Sequence, residues 1–205
     1  ANFNLAKALA KTGNHSVAIK FHNTAVRLAP EQPEAWLNYG KSLSDIHNFE
    51  DAITHYDQAI KLNSQYADAW YNKGVALQEL KRYEEAIVHY DEVIKLLPTH
   101  AKAWHNKGVC LHDLRLYDQA ILNYDEAIKL EPEYAEAWCN KGVSSHKLMS
   151  LENALTYYER ALQIDPNYLE TYWNKAITSL TLGDYKNGWE LYEYRWKTIM
   201  SKSYR

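Results

Sequence analysis

The sequence predicts an all-α array of antiparallel helix pairs, and three observations carry that prediction. Tryptophan recurs at a fixed step of 34, at Trp36, Trp70, Trp104 and Trp138. Each opens a related phrase, from Ala35-Trp36-Leu37-Asn38-Tyr39-Gly40 to Ala137-Trp138-Cys139-Asn140-Lys141-Gly142. Between successive tryptophans, apolar residues follow a helical period twice, with a break halfway. A constant step of this size signals stacked like units rather than one globule. Two periodic segments per unit make each unit a helical hairpin.

Numbered from the residue three before its Trp, the units run 33–66, 67–100, 101–134, 135–168 and 169–202, after a partial unit over 1–32. The whole of 1–205 is expected to be a single array of about six units. In the third unit, helix A carries Trp70, Gly74 and Leu77 at positions 4, 8 and 11, one face of a helix. A break follows near Lys81-Arg82, and helix B runs through Tyr83, Ala86, Ile87, Tyr90 and Ile94. Glu84 and Glu85 in its first turn and Lys95 in its last complement the helix dipole. Pro30, Pro98, Pro132 and Pro166 share position 32 and stop one unit before the next begins.

Gly40, Gly74, Gly108 and Gly142 all hold position 8. A glycine inside a helix costs about 1 kcal/mol relative to alanine, so its recurrence requires a reason. Close approach of helix B supplies one, with Ala18, Ala52, Ala86, Ala120 and Ala154 at position 20 and Tyr56, Tyr90, Tyr124 and Tyr158 at position 24. Small residues at positions 3 and 10 predict a second close contact, with helix B of the preceding unit.

Trp at position 4, Gly at 8, Ala at 20, Tyr at 24, Ala at 27 and Pro at 32 resemble the tetratricopeptide repeat, over essentially the whole chain. The resemblance implies a right-handed superhelical solenoid with helix A lining the concave surface. The chain departs from the pattern at position 7, where Lys73, Lys107, Lys141 and Lys175 stand. Their stems are expected along apolar surface with the ammonium in water.

With positions 3, 4, 8, 10 and 11 buried, helix A is expected to expose 2, 5, 6, 9, 12 and 13. Position 6 is Asn4, Asn38, Asn72, Asn106, Asn140 and Asn174. Asparagine is a mediocre helix former, and its carboxamide pairs with both groups of a peptide unit. The row is similar to the asparagine ladder lining the repeats of O-linked N-acetylglucosamine transferase. The competing reading is a family consensus whose amides bond a neighbouring loop or solvent. Position 5 adds Leu37, Tyr71, His105, Cys139 and Trp173, and position 9 adds Lys7 and Lys41, then Val75, Val109, Val143 and Ile177. Position 2 is acidic at Glu34, Asp68, Glu136 and Glu170, with Lys102 the exception. The groove candidates are therefore the six asparagines with Lys7, Lys41, Tyr71, His105 and Trp173. With only two basic candidates, the chaperone-tail clamp of some relatives is not favoured.

The remaining features argue against chemistry. A net charge of −3 lacks the basic surplus of a nucleic-acid binder. No apolar run is long enough for a bilayer and no cleavable leader is visible, so a cytoplasmic setting is the default. Cys110 and Cys139 belong to no CxxC. Cys110 is expected to pack, and Cys139 to stand open without an activating base. His105, His112 and His146 lack the spacing of a metal pair and are expected to be solvated in the groove. No catalytic residue, metal or cofactor is assigned, and the chain is not expected to be an enzyme.

At the C-terminus, Gly188 replaces alanine at position 20, and Trp189, Tyr192, Tyr194, Arg195 and Trp196 form an aromatic stretch. The run from Gly183 to Trp196 is similar to segments closing repeat arrays ahead of a glycosyltransferase-like domain in bacterial proteins. The leading expectation is a module whose concave groove binds an extended peptide or partner segment. The alternatives are a substrate-recognition array for such a catalytic domain, and a scaffold that homo-oligomerises through its C-terminal helix.

Overall fold

The computed structural model describes residues 15–193 of the chain. The expected Asn4, Lys7, Tyr194, Arg195 and Trp196 lie outside the described residues. All regular structure among those described is helical: α1 (His15–Leu28), α2 (Pro33–Ser44), α3 (Phe49–Leu62), α4 (Ala67–Glu79), α5 (Tyr83–Leu96), α6 (Ala101–Asp113), α7 (Tyr117–Leu130), α8 (Ala135–Lys147), α9 (Leu151–Ile164), α10 (Leu169–Leu182) and α11 (Tyr185–Tyr192). The chain falls into two compact units, Ala1–Thr99 and His100–Arg205. The first contains hairpins α2/α3 and α4/α5 after α1. The second contains α6/α7, α8/α9 and α10/α11.

Each A helix ends in the same turn. The residue at position 15 adopts positive φ: His47 at 60°, Lys81 at 59°, Arg115 at 62°, Met149 at 60° and Gly183 at 89°. At the third hairpin Arg82 N–H donates to Leu77 O at 2.9 Å, and Lys81 N–H to Gln78 O at 2.9 Å. This pair of bonds is the Schellman closure, which satisfies the last carbonyls of a helix. The other four A–B turns repeat it.

The hairpins close on glycine and tyrosine as their spacing predicts. A Cβ placed on Gly40, Gly74, Gly108 or Gly142 would stand 2.5, 2.8, 2.6 or 2.5 Å from Cε1 of the position-24 tyrosine. The five position-20 alanines are fully buried beside them. Between hairpins, Ala137 packs on Ala127 and Ile128 of the preceding helix B. Position 10 contributes polar bonds as well. His112 Nδ1 lies 2.8 Å from Ser144 Oγ, and His146 Nδ1 2.8 Å from Thr178 Oγ1.

The position-7 lysines correct one expectation. Their ammonium groups do not simply extend into water; they pair with the position-25 carboxylate of the preceding hairpin. Lys73–Asp57 is 2.6 Å, Lys141–Asp125 2.5 Å and Lys175–Glu159 3.0 Å. Lys141 is 8% exposed, with Nζ 4.1 Å from the Tyr157 ring centroid.

Within each unit, A helices approach one another: α2 touches α4, α6 touches α8, and α8 touches α10. The B helices make no comparable mutual contact among the described residues. Helix A therefore forms the inner face of each unit.

Candidate functional site

The expected burial of helix A holds at positions 3, 8, 10 and 11 and fails at 4 and 5. The tryptophans are half-buried, turned toward the loop before their own hairpin. Trp36, Trp70 and Trp138 donate Nε1–H to the carbonyls of Pro30, Ser64 and Pro132 at 2.8, 2.9 and 3.0 Å. Tyr172 donates equivalently to Pro166 O at 3.2 Å.

That rotation turns position 5 inward. Leu37, His105 and Cys139 are 2%, 6% and 1% exposed, so they do not line an open groove. His105 lies between Tyr124 and Tyr134, with ring centroids 5.7 and 4.8 Å away. Cys139 packs with Ala154, Tyr158 and Ala161. Burial pushes its thiol up to about 11, which disfavours the thiolate. Tyr71 and Trp173 are half-buried, with ring centroids 6.0 Å from Tyr90 and 5.0 Å from Tyr192. Of the histidines, His105 is buried, whereas His112 and His146 are half-buried, and burial lowers the pKa of all three. Among the described residues no group of three or more His, Cys, Asp or Glu is placed to hold a metal ion.

The five described asparagines are all half-buried on the A helices, and the amides of Asn38, Asn72, Asn140 and Asn174 share a polarity. Asn38 Nδ2 donates to Glu34 O at 2.8 Å and Asn72 Nδ2 to Asp68 O at 2.6 Å. Where the preceding hairpin offers an acceptor at position 5, the amide reaches that instead. Asn140 Nδ2 meets His105 Nε2 at 2.9 Å, and Asn174 Nδ2 meets Cys139 Sγ at 3.7 Å. Because Asn140 must donate, His105 Nε2 is the acceptor and Nδ1 carries the proton. That Nδ1–H faces Asn106 Oδ1 at 3.1 Å and Tyr134 Oη at 3.2 Å. The amide nitrogens of Asn38, Asn72, Asn140 and Asn174 are thus engaged. Their Oδ1 atoms accept no hydrogen bond from the described residues.

In the first unit this face opens into a cleft of about 530 Å³ between α2 and α4. Lys41 and Asn72 line it, as does Val75. Sequence reasoning did not single out Asp45 and Glu79, at position 13, or Phe49, and it named Tyr56 only for packing against Gly40. The signal was available: positions 6, 9 and 13 are spaced i, i+3, i+7 and share one helix stripe.

Comparison with known families decides the classification. A tetratricopeptide repeat model matches 67–100, 101–134 and 135–168, a second matches 1–32, and a further TPR repeat model matches 47–81. The chain is a tetratricopeptide repeat protein. No curated protein gives a significant sequence match. Among solved structures, this repeat protein is similar to PilW, described as a widely conserved type IV pilus biogenesis factor. That match has TM-score 0.85 and 18% identity, and covers 100% of this chain and 93% of PilW. It is similar to MamA (residues 41 to the end) from Desulfovibrio magneticus RS-1, with TM-score 0.77 and 20% identity over 82% and 94% of the two chains. YrrB, described as a TPR protein with an unusual peptide-binding site, matches at TM-score 0.70 and 21% identity over 84% and 89%. These likenesses establish the all-α tetratricopeptide solenoid as the fold. No helix among the described residues is long and apolar enough to cross a membrane.

Proposed function

We propose that this repeat protein is a non-catalytic interaction module whose A-helix face binds an extended peptide or partner segment. The observation carrying the proposal is the α2/α4 cleft, where Asn72 is half-exposed beside Lys41 and an apolar wall. The peptide-binding site named for YrrB, a protein of the same fold, supports the reading. Energetics make side-chain pockets necessary. A net hydrogen bond contributes about 0.5–1.5 kcal/mol, while ordering a peptide residue costs roughly 1–2 kcal/mol. Amides along a backbone cannot hold a flexible chain alone. The cleft adds the apolar burial and charge that select a sequence.

The test is an array of random-sequence peptides probed with wild-type protein and with Asn38→Ala/Asn72→Ala. These two asparagines bond only carbonyls of their own helices, and alanine is the better helix former, so stability should hold or rise. The reading expects the double variant to lose peptide binding at an unchanged or higher melting temperature. An array pattern identical for both proteins would exclude the face. Asn140 is a poorer choice, because its removal orphans buried His105 Nε2.

A second reading, self-association through α11, has one observation in its favour. Tyr185 and Trp189 are 65% and 57% exposed. Sedimentation that gives a monomer at every concentration would remove it.

A further inference from the structure

We infer that buried His105 fixes the direction in which Asn140 presents its carboxamide to the ligand face, and reverses that direction when its ring takes up a proton. The inference rests on the peptide-binding reading above and adds the control of one rung of the ladder. His105 is thereby a positioning residue, acting on the ligand face through Asn140.

Two amides fix the same tautomer. Asn140 Nδ2 meets His105 Nε2 at 2.9 Å, and Asn106 Oδ1 meets Nδ1 at 3.1 Å. An amide nitrogen donates and an amide oxygen accepts, so Nε2 is bare and Nδ1 carries the proton. The two ends of a carboxamide point apart, so committing Nδ2 to the ring turns Oδ1 away from it. At neutral pH Asn140 therefore offers a ligand an acceptor. A proton on Nε2 sets N–H against N–H at a ring that is 6% exposed, and a buried donor without an acceptor is costly. Half a turn of the Asn140 amide removes the conflict. Oδ1 then accepts from Nε2–H, Nδ2 faces outward as a donor, and the imidazolium has an amide oxygen at each nitrogen. Tyr124 on α7 and Tyr134 before α8 flank the ring, with centroids 5.7 and 4.8 Å away, and Tyr134 Oη stands at Nδ1, not at Nε2. Burial lowers the pKa of the ring, opposed by the Asn106 hydrogen bond and by Glu136 on α8. The reversal therefore falls below the ordinary imidazole value of about 6.5. Asn38, Asn72 and Asn174 lack the device. The first two donate to backbone carbonyls, which do not titrate, and Asn174 meets Cys139 Sγ, whose thiolate burial disfavours.

The test follows the side-chain amides and the His105 ring nitrogens of the ¹⁵N-labelled full chain from pH 7.5 to pH 5, with a melting curve at each pH. The expected start is a protonated Nδ1 and a bare Nε2. As Nε2 gains its proton, the Asn140 amide should move with the same midpoint while Asn38, Asn72 and Asn174 hold. His105→Cys, the residue that the next hairpin carries as Cys139, keeps an acceptor but removes the imidazole, so the Asn140 amide should stay still. A peptide selected from the array at pH 7.5, without Asp, Glu or His, should lose about three- to tenfold in affinity across that midpoint, and should lose nothing with His105→Cys. An Nε2–H tautomer at pH 7.5 overturns the inference. So does an Asn140 amide that holds while the ring titrates, melting before the ring titrates, or a peptide affinity that ignores pH. Reversal of the amide in a chain that retains no array peptide supports positioning by His105 and removes the peptide-binding reading instead.

Discussion

At the scale of single residues, the repeat supplies its own controls. Gly108 faces a Tyr124 ring that a Cβ would meet at 2.6 Å. Gly108→Ala should therefore destabilise by about 1–3 kcal/mol despite the better helix propensity of alanine, measured by urea unfolding. Met149 holds at φ 60° the place that Gly183 holds at 89°. A side chain in that conformation costs about 1–2 kcal/mol, and glycine loses part of the gain to chain entropy. Met149→Gly should be mildly stabilising, against the usual direction for a glycine in or near a helix. A lower midpoint would refute this account of the turn. The glycine–tyrosine contact was legible, because a costly residue recurring at one position demands a local cause. The turn was legible only as a break, since five different residues fill position 15.

Burial of ring nitrogens gives the residue scale a pH dependence. His22 and His89 are pushed down to about 4 by burial, with Lys73 adding to the effect at His89. The unfolded chain binds protons near 6.5, so it takes them up before the folded chain does. Stability from these histidines is complete above about pH 6.5 and falls as the pH drops toward 4. Melting temperature should decline between pH 7 and pH 4.5. His89→Asn, the residue that the next hairpin carries as Asn123, should flatten that decline. Position 23 contains His55, His89, Asn123 and Tyr157, and only the structure shows that it is shielded beneath the position-4 ring.

At the scale of elements, successive hairpins are joined by lysines reaching back to helix B of the hairpin before. Lys141 is 8% exposed, stacked on Tyr157 and paired with Asp125, whose side chain remains 45% exposed. Removing the two partners should therefore have unequal effects. Lys141→Ala loses a packed stem and should cost about 1–3 kcal/mol, whereas Asp125→Ala should cost under about 1 kcal/mol. Equal losses on denaturation would mean that the ion pair dominates and the stem does not. This pairing was hidden in the sequence because its partners lie on different hairpins, 16 residues apart. Position 5 was misread for a related reason. Helical period alone leaves the rotation of helix A open by about one residue. The tryptophan's hydrogen bond to the preceding loop fixes that rotation and turns His105 and Cys139 inward.

At the scale of the whole molecule, the fold class was fully legible, because a constant step is a property of the entire sequence. The site was legible only as a row of positions. Which acceptor each carboxamide nitrogen takes depends on whether position 5 of the preceding hairpin offers one, as His105 and Cys139 do and Leu37 cannot. The central claim is that the A-helix amides touch the ligand. The most direct measurement follows the side-chain amide resonances of Asn38 and Asn72 in ¹⁵N-labelled protein while an array-selected peptide is titrated. The account predicts that both resonances shift and saturate with the binding isotherm, with helix B outer-face signals such as Val88 unmoved. Saturation with Asn38 and Asn72 unchanged, and shifts confined to helix B or α11, would contradict it.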